Sequence, residues 1–299
     1  MELIKVFVGA DRSQHIGVRV LEHSIARHTR HPVTVIPMVD LPVRPPKDPA
    51  QDQRTGFSFS RFCIPKLAGY QGKAIYMDAD MLVFKDIGEL WNLPFDGAKV
   101  LVQQNLSQEQ SHFTAAKRGA PVQRIKQSSV MLLDCSRLDW DIEKIVDGLD
   151  QKRYDYAGLL YQLALLSESE VGYGIPFYWN SLEHYDENTG NIHFTDMGTQ
   201  PWVWSGNKYG HLWVNELRLM LTTGKITWNE VREEVRQGYA RPSLITELKN
   251  PSWRQKVPST LLPHLDWAYD RLRIFRPHKV AHEKRLSHLK KLRDTARLD

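Results

Sequence analysis

Lys73-Ala74-Ile75-Tyr76-Met77-Asp78-Ala79-Asp80-Met81-Leu82-Val83-Phe84 is an apolar run interrupted by two aspartates one residue apart. In an extended chain alternate side chains share a face, so Asp78 and Asp80 point the same way and Ala79 turns aside. Two carboxylates aimed at one point repel each other unless a cation lies between them. Oxygen ligands on so short and stiff a spacing suit a hard divalent ion, Mg²⁺ or Mn²⁺, which keeps positions open for substrate phosphates. A buried strand ending in carboxylates sets them at the carboxyl edge of a sheet, where open α/β folds bind ligands. Two other readings stand beside this one: solvated turn carboxylates, and a phosphatase nucleophile paired with an acid/base aspartate. The phosphatase needs a lysine and further acidic motifs downstream, and no convincing set follows.

Outward from this stretch, Ile4-Lys5-Val6-Phe7-Val8 reads as a first strand, Ile16 to His28 as a helix on Val18, Leu21 and Ile25, and Val33 to Ile36 as a second strand. That order is a crossover unit with a parallel pair. Gly9-Ala10-Asp11-Arg12 lacks both a Gly-x-Gly-x-x-Gly pattern and a Walker lysine, which disfavours a dinucleotide fold, a P-loop or a sugar-nucleotide synthesising enzyme. Leu41 to Gly56, with four prolines, is a loop. Phe57 to Leu67 reads as a short aromatic helix carrying Arg61 in apolar company, where an arginine either snorkels to water or is held by an anion. Val130 to Leu133 is a further strand; Ile142 to Leu149, Leu159 to Leu166, Trp213 to Leu221 and Trp228 to Val235 read as helices. Gly172 to Trp204 is aromatic and irregular, the character of a segment that carries function or closes a site. Gln104 to Lys126 is polar and poorly patterned.

At 299 residues, 41% hydrophobic and 25% charged, the chain has the composition of a soluble α/β protein. No run reaches the roughly 20 apolar residues that span a bilayer, and a cytoplasmic protein is expected. Cys63 and Cys135 form no Cys-x-x-Cys pair, so buried reduced thiols are expected. The net charge of +5 comes from His264 to Asp299, where ten Lys/Arg face five Asp/Glu. This divides the chain into an expected catalytic domain, 1–260, and a basic helical tail, 261–299, of two helices broken at Pro277. A basic amphipathic segment over 264–299 fits peripheral contact with an anionic inner membrane surface, or else a solvated helix or a dimer contact. Nucleic acid is disfavoured for want of a known module.

Arg61, the Tyr76-Met77-Asp78-Ala79-Asp80-Met81 block, Asp86-Ile87-Gly88-Glu89-Leu90-Trp91, and the late His193-Phe194-Thr195-Asp196-Met197-Gly198-Thr199-Gln200-Pro201-Trp202 together resemble the family 8 glycosyltransferases, which include glycogenin and bacterial lipopolysaccharide galactosyltransferases. The resemblance runs from about Ile4 to Trp202. It implies an α/β glycosyltransferase A fold, a single Rossmann-like mixed sheet flanked by helices. It also implies retaining transfer of a hexose from a nucleotide donor, usually a UDP-sugar, to a glycan, glycolipid or protein acceptor. By motif match, Asp78, Asp80 and His193 would hold Mn²⁺ or Mg²⁺. Ala10 and Asp11 would contact the nucleoside, Arg61 the donor phosphate or sugar, and Ala79, Gly198 and Gln200 the rest of the donor.

The chain departs from the family pattern at three places. Gln200 stands where a lysine normally precedes Pro-Trp, one residue further from His193. Gln127-Ser128-Ser129 replaces Asn-Ala/Ser-Gly, so Gln127 would keep an amide contact to the sugar on a longer arm. Asp155 is the nearest counterpart of the family's Asp-Gln pair, which makes Gln127 and Asp155 the catalytic candidates. Gln200 and the missing pair favour the alternative of a non-catalytic nucleotide-sugar or glycan-binding protein on the same fold. The acceptor is expected beside Gly172 to Tyr185, where rings can stack on sugar faces.

Overall fold

Apolar and β-branched residues on both faces of Ile4–Gly9 make a strand that is buried from end to end apart from Lys5. In the computed structural model, which describes residues 2–103 and 126–276, this strand (β1) is the second of a six-stranded mixed sheet. The others are β2 (Val33–Met38), β3 (Lys73–Asp78), β5 (Val100–Gln103), β6 (Val130–Asp134) and β7 (Val171–Ile175), in the order β2-β1-β3-β6-β5-β7. β2, β1 and β3 run parallel, β6 is antiparallel to both β3 and β5, and β7 is parallel to β5. Pro37 lies in β2, at the edge of the sheet, where a missing N–H costs no ladder bond. A second sheet, β4 (Met81–Val83), β9 (Asn191–His193) and β8 (Ser181–Leu182), starts two residues after β3 ends.

The chain divides into two compact units, Met1–Asp11 with Ser24–His193, and Arg12–His23 with Phe194–Asp299. The first contains both sheets together with the short helices α2 (Ile64–Leu67) and α3 (Ile87–Trp91), α4 (Ile142–Asp150) and α5 (Tyr156–Tyr161). Its core gathers Phe7, Phe59, Phe62, Tyr76, Met131, Leu133, Trp140 and Val146. Helix α1 (His15–His28) gives its first nine residues to the second unit, where Arg12 pairs with Glu234 at 2.9 Å and His23 Nδ1 lies 2.7 Å from Glu216. The second unit is otherwise helical: α6 (Gly210–Thr222), α7 (Trp228–Arg236), α8 (Ser243–Lys249), α9 (Ser252–Gln255) and α10 (Leu262–Leu272). This division groups α10 with everything after His193, a different boundary from the one drawn by charge at 260/261.

Several elements differ from the sequence expectation. The helix expected over Leu159 to Leu166 begins earlier, because Asp155 caps it by accepting from Gly158 N at 2.7 Å. It ends at Tyr161, and Leu163 then adopts a left-handed φ of 51°. Phe57 to Leu67 is a tight 3₁₀ turn (Ser60–Cys63) running into α2 rather than one helix. Gly172 to Trp204 contains β8, β9 and most of β7, strands of two, three and five residues that carry too little periodicity to read. Gly172 fits because a Cβ there would meet Leu101 Cδ2 at 2.6 Å. The segment Gln104 to Lys126, save Lys126, and the second tail helix lie outside the described residues. Among the described residues no helix is long and apolar enough to cross a membrane.

Candidate metal and donor site

Three backbone elements of the first unit meet where β3 gives way to β4. Asp78 closes β3, pairs in register with Gly9 of β1, and donates its N–H to Ser129 O at 3.1 Å; Ala79 donates to Gly9 O at 3.1 Å. These bonds pin the two-residue joint and leave Asp78 and Asp80 at the carboxyl end of β3. From the second sheet, His193 ends β9 in register with Met81 of β4.

The side chains converge as their backbones do. His193 Nε2 lies 3.0 Å from Asp80 Oδ1 and 4.0 Å from Asp78 Oδ2. Ligand atoms of Asp78, Asp80 and His193 all fall within 4.8 Å of one another. The three are largely shielded, with side-chain exposures of 15%, 10% and 5%. Two carboxylates and an imidazole are a donor set that first-row divalent ions accept. Ligands about 2.1 Å from an octahedral ion sit about 3 Å apart along each edge, so the 3.0 Å between His193 Nε2 and Asp80 Oδ1 matches such an edge, while Asp78 Oδ2 at 4.0 Å is more widely spaced.

Asp78 is held from behind. Its Oδ1 accepts from the Tyr76 hydroxyl at 2.5 Å and lies 3.5 Å from Arg61 Nη2, which leaves Oδ2 as the oxygen nearer His193. Burial pushes the Tyr76 phenol well up, so it stays a protonated donor. The Tyr76 hydroxyl fills the space where a Cβ at residue 9 would stand, 2.3 Å away, which accounts for Gly9. Arg61 is 7% exposed; burial works against its charge, but Tyr76, Asp78, Tyr156 and Tyr161 together raise its pKa. Its guanidinium donates to Ser58 O, Ser128 O and Ser128 Oγ at 3.1, 2.6 and 2.9 Å and stacks 4.5 Å from the Tyr76 ring centre. Of the two sequence readings of this arginine, the anion-held one applies, with Asp78 as the anion.

The remaining expected residues spread more widely. Ala10 is buried and Asp11 half-buried directly beyond β1; Ala79 is buried. Gln127 is half-buried in the turn into β6, beside the Ser128 that binds Arg61, and its Oε1 is buried without a hydrogen-bond partner among the described residues. Asp155 is exposed and engaged in capping α5. Gly198 and Gln200 belong to the second unit: Gly198 N donates to Asp196 Oδ1 at 3.0 Å, and the buried Gln200 accepts at its main-chain oxygen from Val203 and Trp204. Sequence reasoning passed over Tyr76, although strand alternation places it on the face of Asp78. It also passed over Gln103 and Asn180, for which the sequence carries no signal.

Residues 16–138 match the model of glycosyl transferase family 8. Over this stretch the chain is similar to that family. The match takes in Arg61, Asp78, Asp80 and Gln127 and ends before His193. Protein CDI of Arabidopsis thaliana is 28% identical over 233 residues, covering 71% of this chain and 85% of CDI. The glycosyltransferase GlyE of Streptococcus pneumoniae TIGR4 superposes with a TM-score of 0.51 at 17% identity, over 72% of this chain and 60% of GlyE. The bifunctional glycosyltransferase WbbM superposes with a TM-score of 0.49 at 14% identity, over 72% of this chain and 49% of WbbM. The chain thus spans about half to three fifths of the length of these two solved chains. The GlyE likeness shows a shared fold, the glycosyltransferase A fold.

Proposed function

We propose that this chain is a glycosyltransferase that moves a hexose from a UDP-sugar to a saccharide, lipid or protein acceptor, with retention at the anomeric carbon, and that Asp78, Asp80 and His193 hold the Mn²⁺ or Mg²⁺ it needs. The observation that carries this is the convergence of two carboxylates and one imidazole, from positions more than a hundred residues apart, within 4.8 Å. Departure of a nucleoside diphosphate builds negative charge on the leaving group, and a divalent ion at this site would supply the neutralising charge. The protein's own residues supply the rest. Tyr76 and Arg61 hold one oxygen of Asp78 so that the other is presented without a rotamer search, which is preorganisation in the sense that matters for charge stabilisation. Asp11 and Ala10, beyond the strand that pairs with Asp78, are in reach of a nucleoside lying along the carboxyl ends of β1 and β3. Gln127, with a buried amide oxygen that no group among the described residues satisfies, is suited to accept from a donor-sugar hydroxyl.

The aromatic stretch before β9 supports acceptor binding less than its composition suggested. Trp179 is fully buried, Tyr185 packs on Phe84 with ring centres 4.8 Å apart, and Tyr178 carries Lys85 Nζ 4.6 Å from its centre.

The test is release of UDP from UDP-glucose and UDP-galactose with Mn²⁺, for the native chain and for Asp80→Asn. Asp80→Asn is expected to keep the native circular dichroism and lose more activity than the roughly 10–100-fold typical of removing a residue that only supports a ligand. Full activity in that variant would overturn the metal assignment.

A further inference from the structure

His193 has two ring nitrogens, and only one of them faces the aspartates. Nε2 is turned to Asp80 and Asp78, while Nδ1 lies 2.9 Å from Asn180 Oδ1. The side-chain amide of Asn180 then donates through Nδ2 to Gln103 Oε1 at 2.8 Å. All three residues are deeply buried, with exposures of 4% for His193, 0% for Asn180 and 3% for Gln103. They come from separate elements: Gln103 ends β5, Asn180 ends a 3₁₀ turn (Phe177–Asn180), and His193 ends β9.

The chemistry of the chain of bonds has one consistent direction. The carbonyl oxygen of the Gln103 amide only accepts, so the Asn180 amide must turn its NH₂ toward it and its own oxygen toward His193. An amide oxygen also only accepts, so the ring proton between them sits on His193 Nδ1. With Nδ1 committed as donor, Nε2 is the nitrogen free to offer a lone pair to whatever lies beside Asp80 and Asp78.

We propose that Asn180, itself oriented by Gln103, is a positioning residue that keeps the proton of His193 on Nδ1 and so makes Nε2 the ligand nitrogen. The consequence for cation affinity rests on the metal-site reading above; the location of the proton does not. Both act through the imidazole, Asn180 directly and Gln103 through Asn180.

The full-length chain labelled with ¹⁵N-histidine tests this by two-bond ¹H–¹⁵N spectroscopy, His193 being assigned by its absence in His193→Gln. The native chain should show a slowly exchanging Nδ1–H both without metal and with Mg²⁺. Asn180→Leu should lose that proton signal and bind Mn²⁺ about 10–100-fold more weakly by paramagnetic titration. Asn180→Asp, which keeps an acceptor at the same place, should retain the signal and bind close to the native level. A bare Nδ1 in the native protein overturns the proposal, a reading that needs Asn180→Leu neither to fold nor to bind metal. Asn180→Leu with an unchanged Nδ1–H signal, or with native Mn²⁺ affinity, overturns it too. If the native chain binds no Mn²⁺ at all, the metal-site reading fails, and the position of the Nδ1 proton still decides the proposal by itself.

Discussion

The hydroxyl of Tyr76 gives its one proton to Asp78 Oδ1, so Asp78 is held from behind by a phenol and a guanidinium, while Asp80 has the imidazole of His193 3.0 Å in front of it. Removing the phenol oxygen separates orientation from ligation. Tyr76→Phe keeps the ring that stacks on Arg61 and is expected to cost about 1 kcal/mol of stability, the usual size of one hydrogen bond. It should weaken Mn²⁺ binding by about tenfold, because the freed Asp78 samples other rotamers. Urea titration and paramagnetic titration of the same preparation measure the two effects. Unchanged metal affinity would show that Arg61 alone orients the carboxylate.

Between elements, charged pairs stand where strands and helices begin. Glu170 lies next to β7 and Lys99 next to β5; Glu170 Oε1 meets Lys99 Nζ at 2.5 Å, and the same glutamate closes a capping box with Ser167. The Lys99 bond first, and the Ser167 bonds second, hold the Glu170 carboxyl down at about 2 against an ordinary 4.5. A folded-state pKa below the unfolded one gives stability that is complete above pH 4.5 and is lost as pH falls toward 2. Acid unfolding of the native chain should therefore steepen within that window, and Glu170→Gln should flatten it while leaving the neutral region little changed.

In the second unit, α10 inverts the usual arrangement. Asp266 and Asp270 face inward, and Leu265, Trp267, Tyr269 and Leu272 are exposed. Asp266 takes two 2.6 Å bonds from the buried Arg254 of α9, and Asp270 accepts from Ser243 N and Oγ at the start of α8. Burying a carboxylate without its partner is costly, so Arg254→Met should destabilise by about 3–5 kcal/mol. Arg254→Met with Asp266→Leu should recover most of it, because the pair's attraction is largely offset by its desolvation. A double variant no better than the single one would mean that packing, not charge, accounts for the loss; denaturant midpoints decide it.

For the whole molecule, donor binding is a linkage problem. If UDP-hexose and Mn²⁺ bind the folded chain alone, 100 Kd of donor adds about 2.7 kcal/mol, which is several degrees in Tm for a chain of this size. The rise should require both components and vanish in Asp80→Asn; a rise with donor alone would detach the nucleotide from the ion.

The apolar strand ending in Asp78 and Asp80 and the parallel crossover before it were legible in the chain, because strand period and motif spacing are local properties. Arg61 was visible as an arginine in apolar company, but not its anion. Gln103, Asn180 and His193 come from three distant stretches and meet only because β5 and the second sheet bring their ends together; no local pattern encodes an amide's orientation. The inward acids of α10 were equally invisible, since charge counted along a helix does not say which face is buried. That depends on Arg254 and Ser243, partners supplied by other helices. By itself the sequence determined the strand–helix–strand opening and the acidic joint at Asp78 and Asp80; the tertiary structure alone decided which polar groups are satisfied by which, because burial and hydrogen-bond partnership are properties of contacts between segments far apart in the chain.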